Sequence, residues 1–361
     1  MKAGRDTSIF RLAVISAALS LCAYSAHATA DSNASGCDKE NGSHIQWEND
    51  LFTSKLLGRS DKWYTNGIKL ASSYKPNCIP GWLPDRLHNT LSSLMNDREY
   101  DLVYGFSVGQ LMFTPKNLTT SLPQPMDRFW GGWLYNGMLV QRQPKSDRNE
   151  LETLEVDYGV TGPLSGAEQL QKLIHKLSNS TMPQGWNNQV KTEPAIQITY
   201  SRTLHTPQHR ISGTPLSSDF AWHYGAVAGT LFDYVNSGLT ARLGTKLTDV
   251  TPGTIENPAI GQFSKIDNAA YLLARLDMKA VAHNAFIDGS MLRAAPHVSY
   301  VSGKQIVPQL TLGMVLEWKG NGDGEGRRLS ILFHRRGSEF RSPAGPAPIF
   351  NFGTIAYEWD M

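Results

Sequence analysis

The sequence predicts an all-β protein: a closed, antiparallel, 12-stranded transmembrane β-barrel with a short helix in an extracellular loop. Three observations carry this prediction. Segments of about ten residues alternate apolar and polar side chains along most of the 361-residue chain. Several of them carry Trp or Tyr at or beside an end, where an outer-membrane barrel has its aromatic girdles. Their number is even, as a bacterial barrel with both termini on the periplasmic side requires.

The first thirty residues do not belong to that pattern. Lys2, Arg5 and Arg11 precede the apolar run LAVISAALSLCAYSA, which ends in the small-residue cleavage signature AHATA. Residues 1–30 therefore read as a secretory signal peptide and residues 31–361 as one barrel domain. Cys22 raises a lipoprotein alternative, but Leu21 occupies the position where such a signal wants a small residue. Without residues 1–30 the chain has 31 Lys+Arg against 31 Asp+Glu. That balance offers no basic surplus for nucleic-acid binding. Two cysteines remain, Cys37 and Cys78, and in an exported protein an even pair suggests one disulfide. No later segment approaches the ~20 apolar residues of a membrane helix.

Strands are expected near 44–52, 63–75, 102–114, 130–143, 150–161, 193–204, 219–231, 236–247, 269–281, 305–318, 327–336 and 350–360. In ETLEVDYGV, Leu154, Val156, Tyr158 and Val160 oppose Glu155, Asp157 and Gly159. In EPAIQITYS, Ile196, Ile198 and Tyr200 oppose Gln197, Thr199 and Ser201. In AAYLLARLDMKAV, Leu272, Ala274, Leu276 and Met278 oppose Arg275, Asp277 and Lys279. In FGTIAYEWDM, Ile355, Tyr357 and Trp359 oppose Ala356, Glu358 and Asp360. A soluble β-sandwich also alternates. The tryptophans on or beside these segments (Trp47, Trp63, Trp133, Trp318 and Trp359) favour the barrel. If the first strand rises from the periplasm, Cys37 and Cys78 fall on the periplasmic side, which makes a bond between them feasible. The long connections 76–101 and 248–268 also become periplasmic, which is unusual for a barrel, and 84–98 has room for a short helix.

The expected helix is LSGAEQLQKLIHKLSNS, residues 164–180. Ser165 and Glu168 form a capping-box pattern, and Leu170, Leu173, Ile174 and Leu177 follow helical spacing. Gln171 and His175 lie four apart on a polar face. Taken alone, such a histidine is more often solvated than catalytic. Three further polar clusters interrupt the strand pattern: Asn49 and Asp50 in WEND, Thr65 and Asn66 in WYTNG, and Gln110, Thr114, Lys116, Asp127 and Arg128 in GQLMFTPKN and MDRFWGGWLY. Gln189 and Glu193 follow the helix. Each has a plain reading as turn or surface chemistry, Asn66-Gly67 as a hairpin turn and Asp127-Arg128 as a surface ion pair. In the 12-strand topology, however, all the clusters reach the extracellular rim together. Ester hydrolysis suits such a rim. Histidine can take a proton from water as general base, and Asp and Asn oxygens are hard ligands suited to Ca²⁺. Lys and Arg can hold a phosphorylated substrate. A water nucleophile is expected here in preference to a serine.

The motifs END, D-x-x-YTNG, GQ-x-MFTP, DR-x-x-x-GWLY, VDYGVTGP through EQLQKLIHK, and GWNNQVKTEPA run in order from about 48 to 204. Together they resemble the lipid A 3′-O-deacylases of Gram-negative outer membranes. The resemblance implies a twelve-stranded barrel in the outer membrane whose site lies between the outer rim and a loop helix. It also implies a Ca²⁺-dependent hydrolysis of lipid A or lipopolysaccharide in the outer leaflet, in a protein expected to be monomeric. Carried over by motif, His175 is the general base and Gln171 a positioning residue. Asn49 and Asp50 organise the metal or oxyanion site, and Thr65 lies beside them. Arg128 and Lys116 contact lipid A phosphate. The chain departs from the family's DRPYAGW at Phe129, Trp130 and Gly131, and it ends in Met361 where an aromatic residue is usual. Two rivals stand beside this reading: an outer-membrane phospholipase and a non-enzymatic barrel for transport or adhesion.

Overall fold

A computed structural model describes residues 40–50, 52, 63–74, 76–78, 86, 90, 93, 95–248, 251–256, 266–320, 326–345 and 349–360. The signal peptide, Cys37 and Met361 lie outside the described residues. Cys78 is disulfide-bonded. Of the helix expected over 84–98, the described residues Arg86, Thr90, Ser93 and Met95 are helical.

Twelve long strands make the wall: β1 (Glu40–Asn49), β2 (Trp63–Tyr74), β3 (Tyr100–Thr114), β4 (Gly131–Pro144), β5 (Glu150–Thr161), β6 (Pro194–His205), β7 (Ser217–Gly229), β8 (Phe232–Gly244), β9 (Ala269–Asn284), β10 (Ile306–Lys319), β11 (Gly326–Arg336) and β12 (Phe350–Asp360). Each pairs antiparallel with the next, and β1 pairs with β12, so the sheet closes on itself. Closure leaves no edge strand, the condition for a sheet to cross lipid. Among the described residues no helix is long and apolar enough to do so. The expected strand at 236–247 in fact begins at Phe232. The β7–β8 connection shrinks to Thr230 and Leu231, and Asp233 accepts a hydrogen bond from the Gly229 amide to hold the turn.

Burial settles which face is which. On β9, Arg275 and Asp277 are buried while Leu272 and Leu276 are exposed; on β6, Gln197 and Thr199 are buried while Ile196 and Ile198 are exposed. Polar side chains point inward and apolar ones outward, the inverse of a soluble sandwich. The inward charges pair along the inner wall, mostly between directly opposed residues of neighbouring strands. Arg328 bridges Glu317 and Glu358 at 2.7 Å each, Arg242 pairs with Asp219, and Lys69 pairs with Glu155.

Two features stopper the lumen. An aromatic cluster that includes Tyr64, Phe113, Trp133, Tyr135, Phe286 and Phe352 fills the end nearest the long helix-bearing loop. Trp63 and Trp133 belong to it, so these two expected girdle residues point inward instead; Trp318, Tyr357 and Trp359 group at the opposite end. The second stopper comes from the β8–β9 connection, whose residues 251–256 fold up into the barrel. There the Ile255 amide donates to Glu48 at 2.9 Å, and Gln46 donates to the Gly253 carbonyl at 3.0 Å. Glu256 pairs with Lys279 and Arg336 at 2.8 Å each. This explains why a long periplasmic connection is compatible with a barrel. Part of it is interior.

Candidate active site

The site starts from an irregularity in β2. Tyr64 pairs with Phe113 and Asn66 with Met112, so Thr65 is an extra, bulged residue. Bulges re-aim side chains at barrel rims. Here Thr65 turns its hydroxyl to within 2.7 Å of the Thr114 hydroxyl. Trp63, two residues earlier, has φ 71°, a conformation rarely adopted by a bulky residue and costing on the order of 1–3 kcal/mol. Its indole donates to Asp127, which also accepts from the Lys116 and Arg128 amides. Asp127 is therefore the organiser of a loop, not half of a surface ion pair.

Register then lays out a row on the outer face. Trp47 is 40% exposed and faces outward, so Asn49, two residues on, shares that face. Asn49 lies opposite Asn66, Asn66 opposite Met112, and Met112 opposite Gly132, a line crossing four strands. The row is stitched together: the Asn49 side-chain amide and the Trp47 indole both donate to the Asn66 side-chain oxygen Oδ1, at 2.9 and 2.7 Å. Asp50 follows directly and is fully buried.

Helix α1 (Ala167–Leu177) lies over the far end of this row, outside the wall and against β3 and β4. Gly132 makes the approach possible, because a Cβ there would collide with Ala167 and the Ser165 hydroxyl. Gln110, also outward-facing, donates to the Ser165 carbonyl at 2.7 Å. The expected capping box does not form. Ser165 ends a 3₁₀ turn (Gly162–Ser165) and donates to the Gly162 carbonyl, Gly166 at φ 70° is the N-cap, and Glu168 pairs with Lys172. The close packing on Gly132 takes Ser165 away from the cap.

The helix is inverted relative to a soluble one. Gln171 and His175 are buried, at 2% and 3% exposure, whereas Leu173 and Leu177 are exposed, the latter at 79%. The histidine expected on a wet face is thus buried, and Leu173 and Leu177 face out, while Leu170 is half-buried against Met112, Trp130 and Trp186. Gln171 accepts a hydrogen bond from the Trp186 indole at 2.7 Å, and Trp186 packs on Trp130. His175 Nδ1 lies 2.5 Å from the Thr181 carbonyl oxygen. A carbonyl only accepts, so Nδ1 carries the proton of this hydrogen bond.

The two expected phosphate contacts separate. Lys116 is exposed on the β3–β4 loop. Arg128 is fully buried, pairs with Glu339 at 3.0 Å and lies 4.5 Å from the Phe113 ring centre, so it is turned into the barrel mouth. Burial lowers its guanidinium from the ordinary value, with Glu339 and Asp127 drawing it back up. Of the departures from the family motif, Trp130 lies beneath the helix, whereas Phe129 and Gly131 face the aromatic cluster of the barrel mouth. Phe129 is tied to Phe286 through its amide, Trp130 supports Trp186, and a Cβ on Gly131 would collide with Phe286.

Among the described residues no three His, Cys, Asp or Glu side chains gather as a metal site. The oxygen donors at this end of the wall are the Asn49 amide in the row, the Asp50 carboxylate that follows it and the Thr65 and Thr114 hydroxyls of β2 and β3, hard donors that suit Ca²⁺ and not zinc. With a single carboxylate they suit weak binding completed by water or substrate oxygens. Motif reading did not single out Met112, Gly132, Trp130 or Trp186 as site residues. The small-and-aromatic composition of MDRFWGGWLY and GWNNQ was the available signal.

Residues 12–361 match the family model described as LpxR, Outer membrane protein LpxR. The chain belongs to this family of outer membrane proteins, which bears out the resemblance drawn from the motifs. LpxR from Salmonella typhimurium has a similar fold, with a TM-score of 0.67 at 18% identity over 89% of this chain and 100% of that one. A bacterial polysaccharide outer membrane secretin reaches a TM-score of 0.28 at 8% identity, over 89% of this chain and 98% of that chain. The Pseudomonas putida toluene transporter TodX reaches 0.31 at 9% identity, over 89% of each chain. These two carry no weight. No curated protein matches the chain significantly in sequence.

Proposed function

We propose that this member of the LpxR family is an outer-membrane esterase that hydrolyses the 3′-linked acyl or acyloxyacyl chain of lipid A. The observation that carries the reading is the inversion of α1, with His175 and Gln171 buried against the outer wall and Leu173 and Leu177 turned out. A substrate anchored in the outer leaflet reaches a site on the outside of the wall without leaving the membrane. A lumenal site would be shut off from it.

In this reading His175 Nε2 removes a proton from water as the water oxygen attacks the ester carbonyl. The tetrahedral intermediate then collapses, and the same proton passes from Nε2 to the departing sugar 3′-oxygen. A fatty acid and a free hydroxyl result. The Thr181 carbonyl holds the ring in the tautomer this requires. Gln171, fixed by Trp186, keeps its amide NH₂ available to orient the water or the ester. Bound near Asn49 and Asp50, Ca²⁺ would supply positive charge for the oxyanion. Lys116 is the exposed cation for a lipid A phosphate. Arg128, from its buried place, supports the loop that carries Lys116.

Two observations weigh against the rivals. Ser178, the C-cap of α1 three residues after His175, spends its hydroxyl on the Ile174 carbonyl and on Ser180. The lumen that a transporter would need holds residues 251–256. The test is to express the chain in a Gram-negative host lacking such an enzyme and take mass spectra of its lipid A, with calcium and with a chelator. Loss of an acyl group in the parent, absent with chelator and absent in His175→Ala, supports the reading. Unchanged lipid A from folded parent protein would overturn it, and phospholipid cleavage would point to the phospholipase.

A further inference from the structure

We propose that a groove on the outer wall below the site holds the acyl chain being hydrolysed, and that Met138 and Phe106 set the length it accepts. This rests on the lipid esterase reading above and specifies its substrate preference. The groove, about 330 Å³, is lined on its outer side by Leu70, Phe106, Val108, Asn136, Met138 and Tyr158.

Its position follows from register. Leu70 pairs with Val108, Val108 with Asn136 and Asn136 with Tyr158, so these four form one outward row across β2 to β5. That row lies four residues along the same strands from Asn66, Met112 and Gly132, or about 13 Å at ~3.3 Å per residue. Phe106 and Met138 form the next row further into the membrane. An acyl chain whose carbonyl lies beneath α1 therefore runs down β2–β4 into the groove and ends at Phe106 and Met138.

Two contrasts argue that this is more than ordinary lipid contact. Asn136 puts an amide on a wall that should be apolar at this depth, and among the described residues its side chain has no hydrogen-bond partner. An amide facing hydrocarbon is costly and marks function by default. A second outer groove lies on β7 to β10, lined by Phe220, Leu243, Leu272 and Leu312 among others. Its outward lining is apolar apart from the Ser218 hydroxyl and holds no amide, and α1 and the Asn49 row lie on the other side of the barrel. It serves as the internal control.

The experiment uses the full chain in the outer membrane with lipid A pools of shorter and longer 3′-acyl chains. Val108→Trp fills the groove and should lower cleavage of the longer-chain lipid about tenfold or more relative to the shorter one. Met138→Ala lengthens the groove and should shift preference toward longer chains. Leu312→Trp, in the control groove, should leave the ratio unchanged. Equal ratios in all three variants, with the parent active, would overturn the groove while leaving the esterase reading intact. A second readout is independent of turnover: a lipid A analogue with a photoreactive acyl terminus, incubated with His175→Ala. Labelling concentrated on β3 and β4 supports the groove even if the parent proves inactive. Labelling spread evenly around the wall overturns it.

Discussion

Two halves of one wall face the same membrane and are built differently. On β6 to β10 the outward side chains are mostly apolar and open, among them Ile198, Phe220, Leu239 (61% exposed), Leu272 and Leu310. Near the rim on β1 to β4 the outward row is Asn49, Asn66, Met112 and Gly132, all buried. The first half needs only to match hydrocarbon, and any large apolar residue does that. The second carries amides and a glycine where lipid would favour leucine, and then covers them with a helix. Polar groups at lipid-facing positions are expensive and persist where they do chemistry. The difference puts the candidate site on one half of the wall and leaves the other as plain membrane surface.

Substitutions of graded effect can break that contrast. The largest effect belongs to His175→Ala, which should lower deacylation by roughly 10²–10⁴-fold while the heat-resistant folded band on a gel is unchanged. Comparable loss from Leu276→Ala on the opposite wall would end the distinction. Next comes Gly132→Leu. Its side chain must displace Ala167 and Ser165, lifting α1, and misplacement of this kind costs on the order of 10²-fold in rate. The measurement is single-turnover cleavage together with protease sensitivity of the 164–180 segment, which should rise. Trp186→Phe keeps the packing on Trp130 but removes the indole donor to Gln171. A loss of about 0.5–1.5 kcal/mol, tenfold or less in rate, is expected. At the bottom, Ala274→Val on the open half should change neither activity nor stability measurably, since that position is exposed and meets lipid.

Much of the barrel was legible because period-two alternation is a local property, and each strand announces its own two faces. The polar sets Glu155/Asp157, Gln197/Thr199 and Arg275/Asp277 all turn inward as the outer-membrane reading requires. Tryptophan was a poorer guide. Trp63 and Trp133 lie at strand ends like girdle residues but turn into the mouth, because the bulge at Thr65 and the collar of phenylalanines offer them a packed interior. Of the site, the elements were visible and their joinery was not. Thr65 was noticed from its motif, yet its meeting with Thr114 depends on a one-residue slip between β2 and β3. Arg128 reads as a surface cation from its neighbours in sequence and is instead paired with Glu339, more than two hundred residues away.

The sequence by itself determined the class of the molecule: exported, all-β, even-stranded, with one amphipathic helix bearing Gln171 and His175. Those are properties of composition and short-range periodicity, and no partner is needed to read them. Tertiary structure alone decided which face of that helix is buried, that residues 251–256 rise into the lumen, and that Asn49, Asn66, Met112 and Gly132 form one row. Each of these depends on register between strands or on chain closure. A single unpaired residue changes register, and no local preference encodes it. The same amphipathic stripe that buries leucine in a water-soluble protein exposes it here, because the solvent outside the wall is hydrocarbon.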